Sequence, residues 1–213
     1  MPEEITFEET FDLDEVWRVV SDPSVLPRIC DDAWAAMSLD QLKQIVAGIL
    51  ENTGNYVFLV RKGPETVGAG VFYELEPGVF DLHTMLTAQC RGIHAIRIGK
   101  AITEYMLGLS GVKKLVSRCP MNLPETYFFA RRVGWRYAGV AREKWRKHGV
   151  DHDIKLVECT QADWEESTQK QEDRELKMED GYGQQATAMR DAKSEIQDPR
   201  PAPEPVTFNI LCH

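Results

Sequence analysis

The residues best placed to do chemistry lie together between Val79 and Gly111. The run Val79 to Met85 has the composition of a strand, and it carries Asp81 and His83 two residues apart, on one face of a strand. A polar turn with Gln89, Arg91 and Gly92 follows, and then about twenty residues with helical spacing. Ile98, Ile102, Tyr105 and Leu109 recur on one stripe, with Arg97, Lys100 and Glu104 off it. A helix that begins directly after a strand leaves its first N–H groups without carbonyl partners, and their partial positive charge favours an anion in front of the turn. Phosphate or pyrophosphate is the expected ligand.

The elements that must hold this unit can be read outward from it. Ile5 to Glu9 alternates as a short strand, and Asp12 can cap a helix running to Val20 with Leu13, Val16, Trp17 and Val20 on one side. Pro23 and Pro27 break that helix, and Cys30, Asp31, Asp32 and Trp34 fall in an irregular stretch read as a solvated loop, because the paired aspartates have no accompanying metal ligands. Ser38 and Gln41 form a capping box for a helix with Leu42, Ile45, Val46, Ile49 and Leu50 on its apolar face. Tyr56 to Arg61 and Thr66 to Glu74 make a hairpin around Gly63-Pro64, where Gly68 and Gly70 mark a bulge or a close backbone approach. Beyond the central helix, Lys113 to Cys119 is a strand, Asn122 to Val133 a helix closed by Gly134, and Trp135 to Trp145 with Asp151 to Glu158 an antiparallel pair joined at His148-Gly149. The predicted class is α/β (α+β): a mixed, mostly antiparallel sheet with flanking helices.

From Gln161 the composition changes. Residues 161–213 hold 12 acidic and 6 basic side chains, against 22 and 19 before them, so most of the net charge of −9 belongs to this tail. Residues 1–160 are expected to form one domain. The tail is expected to be a polar helix over 161–177 followed by an extended, Pro-containing stretch, its last apolar residues serving as a docking segment for a protein partner or as a plain terminus. Five cysteines without a Cys-x-x-Cys pair argue for a reducing compartment and against a disulfide framework or a zinc site. No apolar run reaches membrane-spanning length, and the start Pro2-Glu3-Glu4 is unlike a signal peptide, so a cytoplasmic protein is expected. The basic residues Arg131, Arg132, Arg136, Arg142, Lys144, Arg146 and Lys147 suit a charged strand edge better than nucleic acid, given the acidic balance of the body.

Two segments carry a resemblance. Gln89-Cys90-Arg91-Gly92-Ile93-His94-Ala95 resembles the pyrophosphate turn of the GNAT superfamily of acetyl-CoA-dependent N-acetyltransferases, and Asn122 to Gly139 (NLPETYFFARRVGWRYAG) resembles its Asn-containing helix and following strand. The phrase Phe-Phe-Ala-Arg-Arg-Val-Gly-Trp is similar to phage-encoded members, some of which are virion or assembly components; for such a member the location would be the host cytoplasm or the virion. The resemblance implies acetyl-CoA as cofactor and an amine as substrate. Backbone groups of Met85, Leu86 and Thr87 would meet the pantetheine arm, and the turn Gln89, Arg91, Gly92, Ile93, His94 and Ala95 would hold the pyrophosphate, with Asn122 also on the cofactor. His83 is the candidate base and Asp81 its orienting partner.

Two departures stand out. His94 occupies a position where the family pattern has Gly or Ala, so its imidazole is expected to crowd the turn. Ala130 stands where many active members carry the proton-donating tyrosine; Tyr127, one turn earlier, is the available substitute, with core packing beside Phe128 and Phe129 as its other reading. Acetyl transfer and a non-catalytic phage component that docks through its tail are thus both open.

Overall fold

A computed structural model describes residues 5–170. The strand β1 (Ile5–Glu9) leads to helix α1 (Leu13–Val20), two helical turns α2 (Leu26–Ile29) and α3 (Asp32–Ala35), and helix α4 (Leu39–Glu51). Three antiparallel strands follow, β2 (Tyr56–Lys62), β3 (Glu65–Glu76) and β4 (Val79–Leu86), then helix α5 (Ile93–Gly108), strand β5 (Lys114–Pro120) and helix α6 (Pro124–Val133). The chain ends this region with β6 (Arg136–Val140), β7 (Trp145–Lys147), β8 (Val150–His152) and β9 (Ile154–Thr160), and residues 161–170 are helical. Residues 171–213, which hold most of the predicted tail and its docking segment, lie outside the described residues.

Seven strands form one sheet in the order β1-β2-β3-β4-β5-β9-β6, and β7 with β8 makes a separate two-stranded ribbon. Only β4 and β5 run parallel. The α/β class and the mostly antiparallel sheet match the sequence reading. The predicted final hairpin is more broken than expected: β6 pairs with β9, while the β7–β8 ribbon bulges out between them around His148, whose φ is +52°, and Gly149.

Each face of the sheet has its own core. On one face, α5 and α6 cover Phe58, Phe72, Phe80, Leu82, Leu115 and Val157. On the other, α1 and α4 cover Val57, Leu59, Ala69, Val71 and Met85. Burial of α5 falls on Ala95, Ile98, Gly99, Ile102, Thr103, Met106 and Leu107, so the stripe is wider than predicted, and Tyr105 sits at its rim with its ring edge-on to Phe7 and Phe58. Gly99 lets α6 approach closely: an added Cβ would stand 2.7 Å from Val133 Cγ2 and 2.8 Å from Phe129 Cζ. Inside the contact the buried Thr103 hydroxyl donates to Gly99 O at 2.7 Å and accepts from Trp135 Nε1 at 3.1 Å.

The predicted caps form as read. Asp12 accepts from Asp14 N and Glu15 N, and Ser38 and Gln41 exchange the two bonds of a capping box. Gly68 shows both predicted features: the β2–β3 register shifts beside it, and an added Cβ would meet Met85 O at 2.9 Å. The paired aspartates, read as a solvated loop, instead build structure. Asp31 caps α3 by accepting from Trp34 N, and Asp32 accepts from His148 N and Gly149 N, both at 2.7 Å, which clamps the β7–β8 turn onto α3. Lys147 reinforces the clamp through the carbonyls of Pro27 and Cys30. Beyond β9, Trp164 packs on the α5–α6 core and Asp163 pairs with Arg136.

Candidate functional site

The geometry of the site starts where β4 and β5 part. Their parallel ladder covers only Val79↔Lys114, Phe80↔Leu115 and Asp81↔Val116. From Leu82 to Leu86, β4 pairs with β3 alone among the described residues, so the edge that faces β5 has no strand partner there. The Ser117 hydroxyl bridges the start of the gap by donating to Leu82 O at 2.9 Å. β5 is drawn away to pair along its whole length with β9. A wedge-shaped opening with backbone donors and acceptors along one wall is the result.

At the wide end of the opening stands the predicted turn. Gly92 caps α5 with φ +64° and ψ −131°, a conformation that L-residues rarely adopt, and nothing lies within 4 Å of where its Cβ would be. The His94 imidazole is half-buried. Ile93, His94 and Ala95 form the first turn of the sixteen-residue α5, so their N–H groups precede the first intrahelical acceptor and point out of the helix. Gln89 and Arg91 are exposed in the turn and Cys90 is buried beneath it.

Of the expected pantetheine wall, Met85 and Leu86 pair with Ala69 and Gly68 on the β3 side only. The Thr87 N–H and its hydroxyl both bond Val67 O, at 3.0 and 2.9 Å, and its carbonyl accepts from Cys90 N, which ties the end of β4 to β3. Asn122, between β5 and α6, has a buried Oδ1 with no hydrogen-bond partner among the described residues.

Spacing in the sequence gave no hint of Arg28 and Ser24, which come from the region around α2. Ser24 Oγ accepts from Ala88 N at 3.1 Å and so ties this region to the turn. Burial, and next the neighbouring Arg28 guanidinium, pull the pKa of Arg91 below its ordinary value. Arg28 also pairs with Glu125 of α6 at 2.8 Å. Positive charge near the N-terminus of a long helix is the arrangement that favours an anion.

On the α1 side of the sheet, Asp81 and His83 share a face with Tyr73 of β3 and Arg118 of β5. Asp81 is only 4% exposed; its Oδ2 lies 3.5 Å from His83 Nε2 and 3.3 Å from Arg118 Nε. His83 is half exposed and stands edge-on to the Tyr73 ring at 5.2 Å. Burial, with Asp81 nearby, pushes the Tyr73 phenol up to about 12, so it stays protonated. Tyr127 is remote from this group: Lys155 Nζ lies 4.3 Å from its ring centroid, and the rings of Phe128 and Tyr137 meet it edge-on.

No family model matches the chain, and no curated protein does. Solved structures do match. The Vibrio cholerae spermidine N-acetyltransferase SpeG in complex with CoA and spermine superposes with a TM-score of 0.58 at 13% identity, covering 75% of this chain and 97% of that one. A mutant form of the same spermidine/spermine N-acetyltransferase gives 0.62 at 14% identity over 77% and 98% of the two chains. A chimera of SpeG and hSSAT gives 0.63 at 14% over 75% and 97%. The fold is the GNAT fold. Its parted central strands, and the helix that opens at Gly92, are the features of this chain on which a functional reading rests.

Three of the seven basic residues near the C-terminal side are in ion pairs within the chain. Arg136 pairs with Glu158 and Asp163, Lys144 with Asp153 and Arg146 with Asp151, while Arg131 donates to Trp135 O. Among the described residues no cluster of His, Cys, Asp or Glu could hold a metal ion, and no helix is long and apolar enough to cross a membrane.

Proposed function

We propose that the chain transfers an acetyl group from acetyl-CoA to an amine. The observation that carries this reading is the pairing of an unpartnered β4 edge, Leu82 to Leu86, with an open glycine turn at the N-terminus of α5. When bound, acetyl-CoA would supply an acyl group activated as a thioester. The N–H groups of Ile93, His94 and Ala95 would hold its pyrophosphate, with Arg91 and Arg28 adding charge. Met85 and Leu86 would pair with the pantetheine arm and Asn122 Oδ1 would accept a donor from it.

The chain's own contribution is positioning and proton removal. His83, half exposed and backed by Asp81, is proposed as the base that deprotonates the acceptor ammonium directly or through water. SpeG is named as a spermidine acetyltransferase and its complex holds spermine, which is in keeping with an amine acceptor here.

The second reading, a non-catalytic phage virion or assembly component docked through its tail, rests on Ala130 at the usual acid position. Its docking segment lies outside the described residues, and the comparisons supply no support for phage origin. Calorimetric titration of the full chain with acetyl-CoA and with CoA decides between the two. Saturable binding that disappears in Arg91→Glu supports the enzyme; no heat at millimolar ligand refutes it.

A further inference from the structure

Asp81 is in an unusual position for a carboxylate. It sits at the last rung of the β4–β5 ladder, where the strands part, and is 4% exposed. Its Oδ1 is buried without a hydrogen-bond partner among the described residues. A buried acceptor left unsatisfied is costly, so such groups usually mark a ligand. Its Oδ2 contacts, 3.3 Å to Arg118 Nε and 3.5 Å to His83 Nε2, are longer than the ~2.8 Å of a good charge-assisted bond.

Arg118 lies two residues past the final rung, on the same face as Asp81, with its side chain 41% exposed. Its other contact is Glu143 Oε1, 3.2 Å from Nη1, on the connection between β6 and β7. Two carboxylates therefore share one guanidinium at the point where the cleft opens. The surplus of negative charge and the unfilled Oδ1 both call for a second cation. A compact alkylammonium with three N–H donors suits them better than a planar guanidinium held at the end of its own stem.

We propose that Asp81 and Glu143 form a seat for a primary ammonium, and that Arg118 is a built-in competitor which the incoming amine displaces. This proposal rests on the acetyl-transfer reading for its purpose and makes Arg118 the residue that sets how weakly or tightly amines are held. His83 lies beside the seat, with the Tyr73 ring edge-on to it.

The test is calorimetric titration of the full chain with butylamine, with butan-1-ol as the uncharged control, in low-salt buffer free of other amines, with and without CoA. Wild type should bind the amine and not the alcohol. Arg118→Met, which removes the competitor, should bind the amine about fivefold more tightly, the size expected from releasing a half-exposed ion pair. Asp81→Asn should lose binding. Arg118→Gln, which keeps a donor for Asp81, serves the same comparison if the methionine variant does not fold. Equal or weaker amine binding in the Arg118 variants, or unchanged binding in Asp81→Asn, overturns the proposal. CoA binding without amine binding would overturn the seat alone; amine binding without CoA binding would leave the seat standing and refute the acetyl-transfer reading.

Discussion

Replacing Gly92 by alanine isolates the backbone geometry at the foot of α5. The residue has φ +64° and ψ −131°, and an added Cβ would have no atom within 4 Å. Steric collision therefore contributes nothing, and the cost is the intrinsic strain of an L-residue in this region, about 1–3 kcal/mol. That energy must appear in one of two places. If the turn keeps its shape, folding stability falls by the full amount, seen in urea unfolding as a lower midpoint at constant slope. If the turn relaxes, the N–H groups of Ile93 to Ala95 swing out of line and CoA affinity weakens by up to about 5- to 150-fold, the same energy expressed as a ratio. The two losses should sum to about 1–3 kcal/mol. Gly48→Ala is the control, since Gly48 lies within α4 with open space around it and alanine there should stabilise by up to about 1 kcal/mol. A Gly92→Ala protein as stable as wild type, with unchanged CoA affinity, would refute the claim that this glycine is required by its conformation.

Other outcomes follow from single contacts. Thr103→Val keeps the shape but removes the acceptor of Trp135 Nε1, and should cost about 1–3 kcal/mol, read as a lower melting temperature. Tyr127→Phe should leave the rate constant for acetyl transfer within about twofold of wild type, since the ring is engaged by Lys155 and Tyr137; a hundredfold loss, in the range of general acid catalysis, would restore it as the proton donor. The N–H of Gly149 most of all holds the Asp32 carboxyl below its ordinary value, against an opposing effect of burial and with a lesser contribution from the His148 N–H. A depressed carboxylate contributes stability that is present above its unfolded pKa and is lost as pH falls through the folded value. Acid unfolding monitored below about pH 4 should therefore be steeper in wild type than in Asp32→Asn.

Local signals in this chain proved easy to read. Asp12, Ser38 with Gln41, Gly63-Pro64, Gly92 and Gly134 act through their own backbone or through bonds to residues two to four positions away, so sequence spacing alone places the helix starts and turns they make. The alternation of the strands likewise made the sheet legible. What the sequence hid were bonds to partners distant in the chain. Asp32 looked like part of a solvated loop because the N–H groups that it binds lie more than a hundred residues away.

The sequence by itself determined that a glycine turn would open a helix behind a strand and leave the first N–H groups of that helix without carbonyl partners, because that consequence follows from helix geometry without reference to the rest of the chain. Only the tertiary structure decided how far β4 and β5 stay paired, since β9 and the Ser117 bridge determine where they separate. It also placed Arg28 beside Arg91 and brought Arg118 and Glu143 to the buried carboxylate of Asp81. Charges act through space and not along the chain, so which charges share a site is a property of the fold.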